Sequence, residues 1–410
     1  NIIGTSNYSD ILKGNSDKNI INGLGGHDTI YGIGGENTLY GGTGNDTIYT
    51  ATSKVAGQRG DVVYGGQGTD TLVGSFNKDF LIGGEEENNA DVETDWIDYS
   101  NLVLGANDYG ISVNLEQTTN FTDTVDRTYL NGNYSQVFRL DTNGTNTLNF
   151  DYISQIENIT GSSGDDTFTG NTSQNSILAG AGDDIIYYTR GLDYYDGGNH
   201  TTSSGQGSGT PSVGGGDWIS LAKETTTTVN FDLYNSSVGA NITNSSATVT
   251  NIENIIGYNG VQATTGWGTD SNNTFVMYAG NDSIIGRQGN DVYDLGDGND
   301  AAFTSYGNDT VIGGAGIDRL DYNNVYSSAN QANIIILTSQ DLNGDGDTAD
   351  TNESVTTSSI TVQGLATLAD GTYTFFKIRD GRTDFFDYLY READGTADIE
   401  IFYLTNITAQ

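Results

Sequence analysis

Asp10, Asn19, Asp28, Asn37 and Asp46 stand nine residues apart without slippage, and two residues after each comes a large aliphatic: Leu12, Ile21, Ile30, Leu39 and Ile48. Glycines fill the interval, as in Gly41-Gly42-Thr43-Gly44-Asn45-Asp46-Thr47-Ile48-Tyr49. A fixed short period of this kind is the signature of a solenoid, in which each repeat buries its apolar side chain only by stacking on its neighbours. The beat returns at Asp61, Asp70 and Asp79, at Asp166, Asn175, Asp184 and Asp193, and at Asn273, Asp282, Asp291, Asp300, Asp309 and Asp318. Phe168, Ile177, Ile186 and Tyr195 accompany the third run; Phe275, Ile284, Tyr293, Ala302, Val311 and Leu320 accompany the last. Asp46 and Asp61 are 15 apart, which reads as nine plus a six-residue insertion bulging one turn.

Each unit has a local physical meaning. The Gly-rich half needs backbone angles that glycine adopts cheaply, and the following three residues form a short strand whose central side chain points inward. Two units make one coil of 18 residues, and coils stack about 4.8 Å apart through parallel backbone hydrogen bonds. Asp28 and Asp46 then lie one above the other, placed to share a cation. Carboxylates and freed backbone carbonyls form an all-oxygen donor set, which suits Ca²⁺ rather than Zn²⁺ or Mg²⁺. The plainer alternative is that these Asp residues only terminate Gly turns.

The composition fits the cation reading. The chain of 410 residues has 57 Gly, one Pro, no Cys and a net charge of −39. Such acidity repels nucleic acid and anionic membranes, yet 25 Tyr, 14 Phe and 3 Trp supply the apolar surface of a core. Without bound cations the carboxylates repel one another. Without cysteine, extracellular stability has to come from something other than disulfides. No run approaches the roughly 18–20 apolar residues of a membrane helix. Beginning at Asn1 and not Met, the chain is expected to be a mature or excised product with no signal peptide left to read.

These units resemble the nonapeptide of RTX (repeats-in-toxin) proteins, G-G-x-G-x-D-x-U-x. The resemblance implies a parallel β-roll, multiple Ca²⁺ ions, export by type I secretion and folding on meeting external calcium. The expected fold is all-β: a right-handed parallel β-roll or β-helix solenoid with interleaved β spacers and a C-terminal β cap. Expected ligands are Asp10, Asp28, Asp46, Asp61, Asp70, Asp79, Asp166, Asp184, Asp193, Asp282, Asp291, Asp300, Asp309 and Asp318. Sorted by the 18-residue coil, Asp10, Asp28 and Asp46 form one column of the first roll and Asn19 and Asn37 the other. The neutral Asn column is expected to bind weakly or stay empty, held together by a side-chain amide ladder. In the last roll both columns are acidic apart from Asn273.

Between the rolls the pattern changes but repeats. Trp96-Ile97-Asp98-Tyr99, Ile111 to Leu115 and Ile156-Glu157-Asn158-Ile159 are matched in order by Trp218-Ile219-Ser220-Leu221, Val229 to Leu233 and Ile252-Glu253-Asn254-Ile255. Leu320-Asp321-Tyr322, Ile334 to Leu337 and Ile360-Thr361-Val362 begin a third copy. The alternation predicts strands, as longer coils of the solenoid or as separate small sandwiches. Residues 116–147 and 199–215, polar and aperiodic, read as loops. The resulting divisions are 1–95, 161–216 and 266–322 as rolls, 96–160 and 217–265 as spacers, and 323–410 as a terminal β region. There, aromatic strands such as Tyr373 to Phe376 and Ile399 to Leu404 are expected to cap the open end.

Asp341-Leu342-Asn343-Gly344-Asp345-Gly346-Asp347 resembles the opening of an EF-hand loop. Asp341, Asn343, Asp345 and Asp347 are therefore further candidate ligands, although the closing acid, Glu353, falls one residue late and no helices flank the loop. Catalysis finds no foothold: His27 and His200 are the only histidines, and H-E-x-x-H, G-x-S-x-G and phosphate-loop patterns are absent. Three roles remain. The chain is an extracellular structural protein assembling with itself, head to tail or as a lattice, into an S-layer, filament or sheath. Alternatively it is an adhesin fragment, with cell-surface polysaccharide as a candidate partner. The third role is the carrier region of a secreted enzyme or toxin. None involves nucleic acid or membrane insertion.

Overall fold

A computed structural model describes residues 1–51, 59–84, 93–104, 109–121, 130, 132–140, 146–199, 216–223, 229–239, 247–258, 260, 262–303, 309–315, 319–321, 333–337, 340–341, 360–362, 377–379 and 384–386. Nearly all regular structure there is β, and no α-helix occurs among the described residues. The chain divides into two compact units, Asn1–Thr210 with Gly215–Asp217, and Pro211–Gly214 with Trp218–Gln410.

In the first unit, two parallel ladders face each other. One aligns Leu12, Ile30, Ile48, Leu72, Ile97, Ile159, Ile177 and Tyr195 at successive rungs. The other aligns Ile21, Leu39, Val63, Leu81 and Ile153. Apart from Leu12, these inward side chains are buried. Each large one removed from water contributes about 1.5–3 kcal/mol. The pairings Thr38↔Val62 and Thr47↔Thr71 span 24 residues instead of 18, which places the six-residue insertion in a single turn and leaves both ladders in phase.

The spacer differs from both sequence expectations. Trp96–Asp98 and Asn158–Thr160 are ordinary rungs paired directly with each other. Between them Gly110–Phe121, Gly132–Leu140 and Asn146–Ser154 form an antiparallel meander set into the opposite ladder. Its last strand stacks in parallel on Phe80–Ile82, and its first on Thr167–Thr169. Part of 116–147 is therefore strand and not loop, because Thr118–Phe121 pairs across to Gly132–Ser135 where no nine-residue beat announces it. The meander also covers the outer side of the roll: Val62, Tyr64, Phe80, Ile82 and Tyr152 pack with Leu130 and Tyr134 in a second apolar cluster.

The second unit repeats this design. Trp218–Ser220 pairs directly with Asn254–Ile256, while Asn230–Asp232, Ser237–Gly239 and Ala247–Thr250 form the meander. Beyond it, Phe275, Tyr293 and Val311 align in one ladder and Gly266, Ile284, Ala302 and Leu320 in the other. A third copy begins alike, with Asn333–Leu337 parallel to Thr310–Ile312 and antiparallel to Ile360–Val362. Tyr373 to Phe376 and Ile399 to Leu404, the strands expected to form the cap, lie outside the described residues.

Candidate metal centres

Each turn ends on an Asp or Asn whose side chain reaches toward the preceding coil. Asp10, Asp28, Asp46 and Asp70 donate their backbone N–H to Oδ1 of Asp28, Asp46, Asp70 and Asp95 at 2.7–2.8 Å. On the other flank of the same coils, Asn19, Asn37, Asp61 and Asp79 donate likewise to Asn37, Asp61, Asp79 and Asp151. Asp61 and Asp79 thus continue the Asn column, because the insertion before Asp61 keeps the alternation of turns. Further along, Asp166 and Asp184 donate to Asp184 and Asp217, and Asn175 to Asp193. In the second unit Asp282 donates to Asp300, while Asn273 and Asp291 donate to Asp291 and Asp309.

The second carboxylate oxygen separates these turns into two kinds. Oδ2 of Asp28, Asp46, Asp184 and Asp291 is buried with no hydrogen-bond donor. It lies against the glycine that opens the turn: a Cβ on Gly23 would stand 2.2 Å from Asp28 Oδ2, one on Gly41 2.4 Å from Asp46 Oδ2, and one on Gly286 2.2 Å from Asp291 Oδ2. A buried charge without a counterpart is costly, so burial pushes these acids up: Asp46 to about 6, Asp291 to about 8, Asp184 well above its usual range. For Asp184 the neighbouring carboxylates of Asp166 and Asp217 add to the effect. Burial likewise raises Asp282 and Asp309 to about 6.

In six other turns protein donors reach that oxygen. Asp61 Oδ2 accepts from Ala51 N at 2.8 Å, Asp79 Oδ2 from Ser75 Oγ at 2.9 Å, and Asp151 Oδ2 from Tyr99 Oη at 2.9 Å. Asp10 is met by Thr5, Asp166 by Ser162, and Asp193 by Tyr195 Oη at 2.7 Å. The asparagine turns go further. Asn37 Nδ2 donates to the carbonyls of Gly32 and Gly34 in its own turn, at 3.2 and 2.9 Å. The ladder on that side therefore runs from backbone N–H to side-chain oxygen, and the amide hydrogens close the turn rather than bonding amide to amide.

Asp95, Asp151 and Asp217 complete columns that the sequence reading left short. Each stands directly before a rung as Asp-x-Ile, with Ile97, Ile153 and Ile219 inward. That local signal exists, but it falls off the nine-residue beat. Asp318, Asn343, Asp345 and Asp347 lie outside the described residues, and Asp341 is described only as strand. His27 is exposed, and its Nδ1 accepts from Asn45 N at 2.8 Å.

Among the described residues no three acidic or histidine side chains converge on one point. A cation in these turns would take one or two carboxylate oxygens and draw its remaining ligands from backbone carbonyls, as a hard, flexible ion such as Ca²⁺ allows. The buried, donor-less Oδ2 atoms fit that ion. The family model described as RTX calcium-binding nonapeptide repeat (4 copies) matches residues 5–36, 31–51, 55–88, 160–195, 267–302 and 303–321. Those stretches are RTX repeats, which bind Ca²⁺ at multiple sites. Curated proteins give no match to the chain.

Proposed function

We propose, from the premise that the rolls are RTX calcium-binding repeats, that the chain is an extracellular structural protein that folds on Ca²⁺ and assembles with copies of itself at a bacterial cell surface. RTX repeat proteins are typically extracellular and exported by type I secretion, and their repeat domains are generally structural rather than catalytic. The ions are assigned first to the turns of Asp28, Asp46, Asp184 and Asp291, whose Oδ2 is buried without a donor. Carbonyls five and three residues before the acid, such as those of Gly41 and Thr43 before Asp46, would join it, since Asn37 bonds its turn at those positions. There the ion neutralises carboxylates that otherwise repel, and ligand binding becomes folding energy.

One observation carries the assembly reading. Every rung repeats the same parallel pattern, Leu12 on Ile30, Ile30 on Ile48 and Ile48 on Leu72, so a free edge of one copy, wherever its stack ends, matches a free edge of the next. An edge of this kind accepts another strand of matching pattern, and head-to-tail stacking of like surfaces propagates into a filament or sheet. In millimolar calcium, electron microscopy is expected to show ordered polymers that a chelator disperses. Monodisperse wild-type particles in calcium would overturn the assembly and favour the adhesin role, which a glycan-binding screen then tests.

A further inference from the structure

Both spacers end in the same set of contacts. A residue with positive φ, Gln155 at 55° and Asn251 at 52°, precedes Ile-Glu-Asn-Ile in each. The Asn of that motif accepts the first N–H of the next rung: Asn158 Oδ1 from Ser176 N and Asn254 Oδ1 from Thr274 N, both at 2.9 Å. The Glu offers its backbone carbonyl to the amide of the following turn: Asn175 Nδ2 to Glu157 O at 2.8 Å, Asn273 Nδ2 to Glu253 O at 2.7 Å. That second Asn also takes the backbone N–H that opens its own turn, from Asn171 at 2.8 Å and Thr269 at 2.7 Å. The turn-opening glycine packs against it, a Cβ on Gly170 or Gly268 standing 2.5 or 2.4 Å from its Oδ1. Finally its own N–H goes to the acid one coil on, Asp193 or Asp291, at 2.8 and 2.9 Å.

We infer that these two clasps, closed by the protein's own donors, are the joints from which the calcium-dependent coils grow after each meander. The chemistry follows from one atom. An Asp in this place leaves a charged oxygen facing carbonyl oxygens, and only a cation resolves that. The amide replaces it with a neutral group whose hydrogens reach the Glu carbonyl and a side-chain oxygen of the turn's own opening residue, Asn171 Oδ1 or Thr269 Oγ1. Asn37 makes a related replacement inside the first roll, with its hydrogens on the Gly32 and Gly34 carbonyls of its own turn. In a coil restarting after an antiparallel meander the residue beneath is Glu157 or Glu253, whose backbone carbonyl the Asn amide already takes, so the turn is closed by protein donors and lets the rung form first. Each later Asp turn then has a floor on which to stack.

The inference rests on calcium occupying the aspartate turns, and one experiment separates the two. Hydrogen exchange of the full chain, read by mass spectrometry against free calcium, compares peptides spanning 168–178 and 268–276 with those spanning 24–31 and 42–49. The clasp peptides are expected to reach half protection at about tenfold lower free calcium, a coupling of about 1.4 kcal/mol. Equal midpoints, or clasp peptides protected last, would overturn the joint while leaving calcium binding intact. Full protection of every peptide in excess chelator would instead overturn calcium at the aspartate turns. In Asn175→Asp, 168–178 is expected to shift to the midpoint of 42–49 while 268–276 stays in place as an internal control. An unshifted 168–178 overturns the inference, and if that variant does not fold, the wild-type midpoints still decide it.

Discussion

The two flanks of the first roll share a register, a rung spacing and a ladder of backbone N–H groups caught by side-chain oxygens, yet they are held by different means. On the flank of Asp28 and Asp46 the second carboxylate oxygen is buried without a donor. On the flank of Asn37, Asp61, Asp79 and Asp151 that position is served by an amide, a backbone N–H, a serine hydroxyl and a tyrosine hydroxyl. One coil therefore carries a side where buried carboxylate oxygens meet no protein donor and a side where protein donors reach them. The presence of Asp on the repeat beat does not by itself distinguish them. What distinguishes them is which group reaches the second oxygen.

Removing calcium is the largest test of this contrast. At pH 7.5 a chelator is expected to abolish most of the β-sheet circular dichroism, with exchange protection lost first at 24–31 and 42–49. Retention of the full signal would end the cation reading of that flank.

Acidification in chelator comes next. Asp46 at about 6 and Asp291 at about 8 have folded pKa values above their ordinary value of 3.8. The folded state thus holds more protons than the unfolded one between these limits. This contribution is present in full below pH about 4 and fades as pH rises through about 6 to 8. Metal-free chain is therefore expected to recover β-structure on moving from pH 7.5 to 5, whereas with calcium the same step releases the ion. A metal-free chain that loses structure on acidification would contradict the burial of these acids.

Tyr99→Phe probes the other flank. It removes the hydroxyl that donates to Asp151 Oδ2 inside the core. The expected cost is about 1–3 kcal/mol in calcium-saturated urea unfolding, with the number of bound ions unchanged. The smallest effects come from a matched pair. Asp46→Asn should lower calcium stoichiometry by about one ion with the fold retained, since its amide can imitate Asn37. Asp79→Asn should leave the stoichiometry as it is. Equal losses from both would erase the difference between the flanks.

Much of this was legible from residue order. The nine-residue beat located most inward side chains of the rolls, because a coil of two units admits only one phase, but it missed rungs off the beat such as Ile97, Ile153 and Gly266. The recurring Ile-Glu-Asn-Ile marked both restarts. The meanders were not legible as such: antiparallel partners such as Val113 and Val137 have no fixed spacing, and polar outward residues along 116–121 resemble a loop. Nor did the sequence reveal which acids are already satisfied. Tyr99 lies 52 residues from Asp151, and Ala51 reaches Asp61 across the insertion. Such contacts depend on the closed coil, not on a motif.

The cluster on the outer side of the roll limits how this protein can vary. Most rungs read like Thr29-Ile30-Tyr31, with one apolar residue inside and two facing out, and one such coil is much like another. Val62-Val63-Tyr64 and Phe80-Leu81-Ile82 are apolar at every position, because Tyr134 and Tyr152 cover their outer face. Gain or loss of an 18-residue coil among the plain rungs preserves every kind of contact and changes only length. The same event between residues 62 and 82 would separate the outer aromatics from a meander encoded some distance later in the chain. Repeat number is free to drift in one stretch and locked in the other, and a lineage of such proteins should differ in length on one side of that boundary.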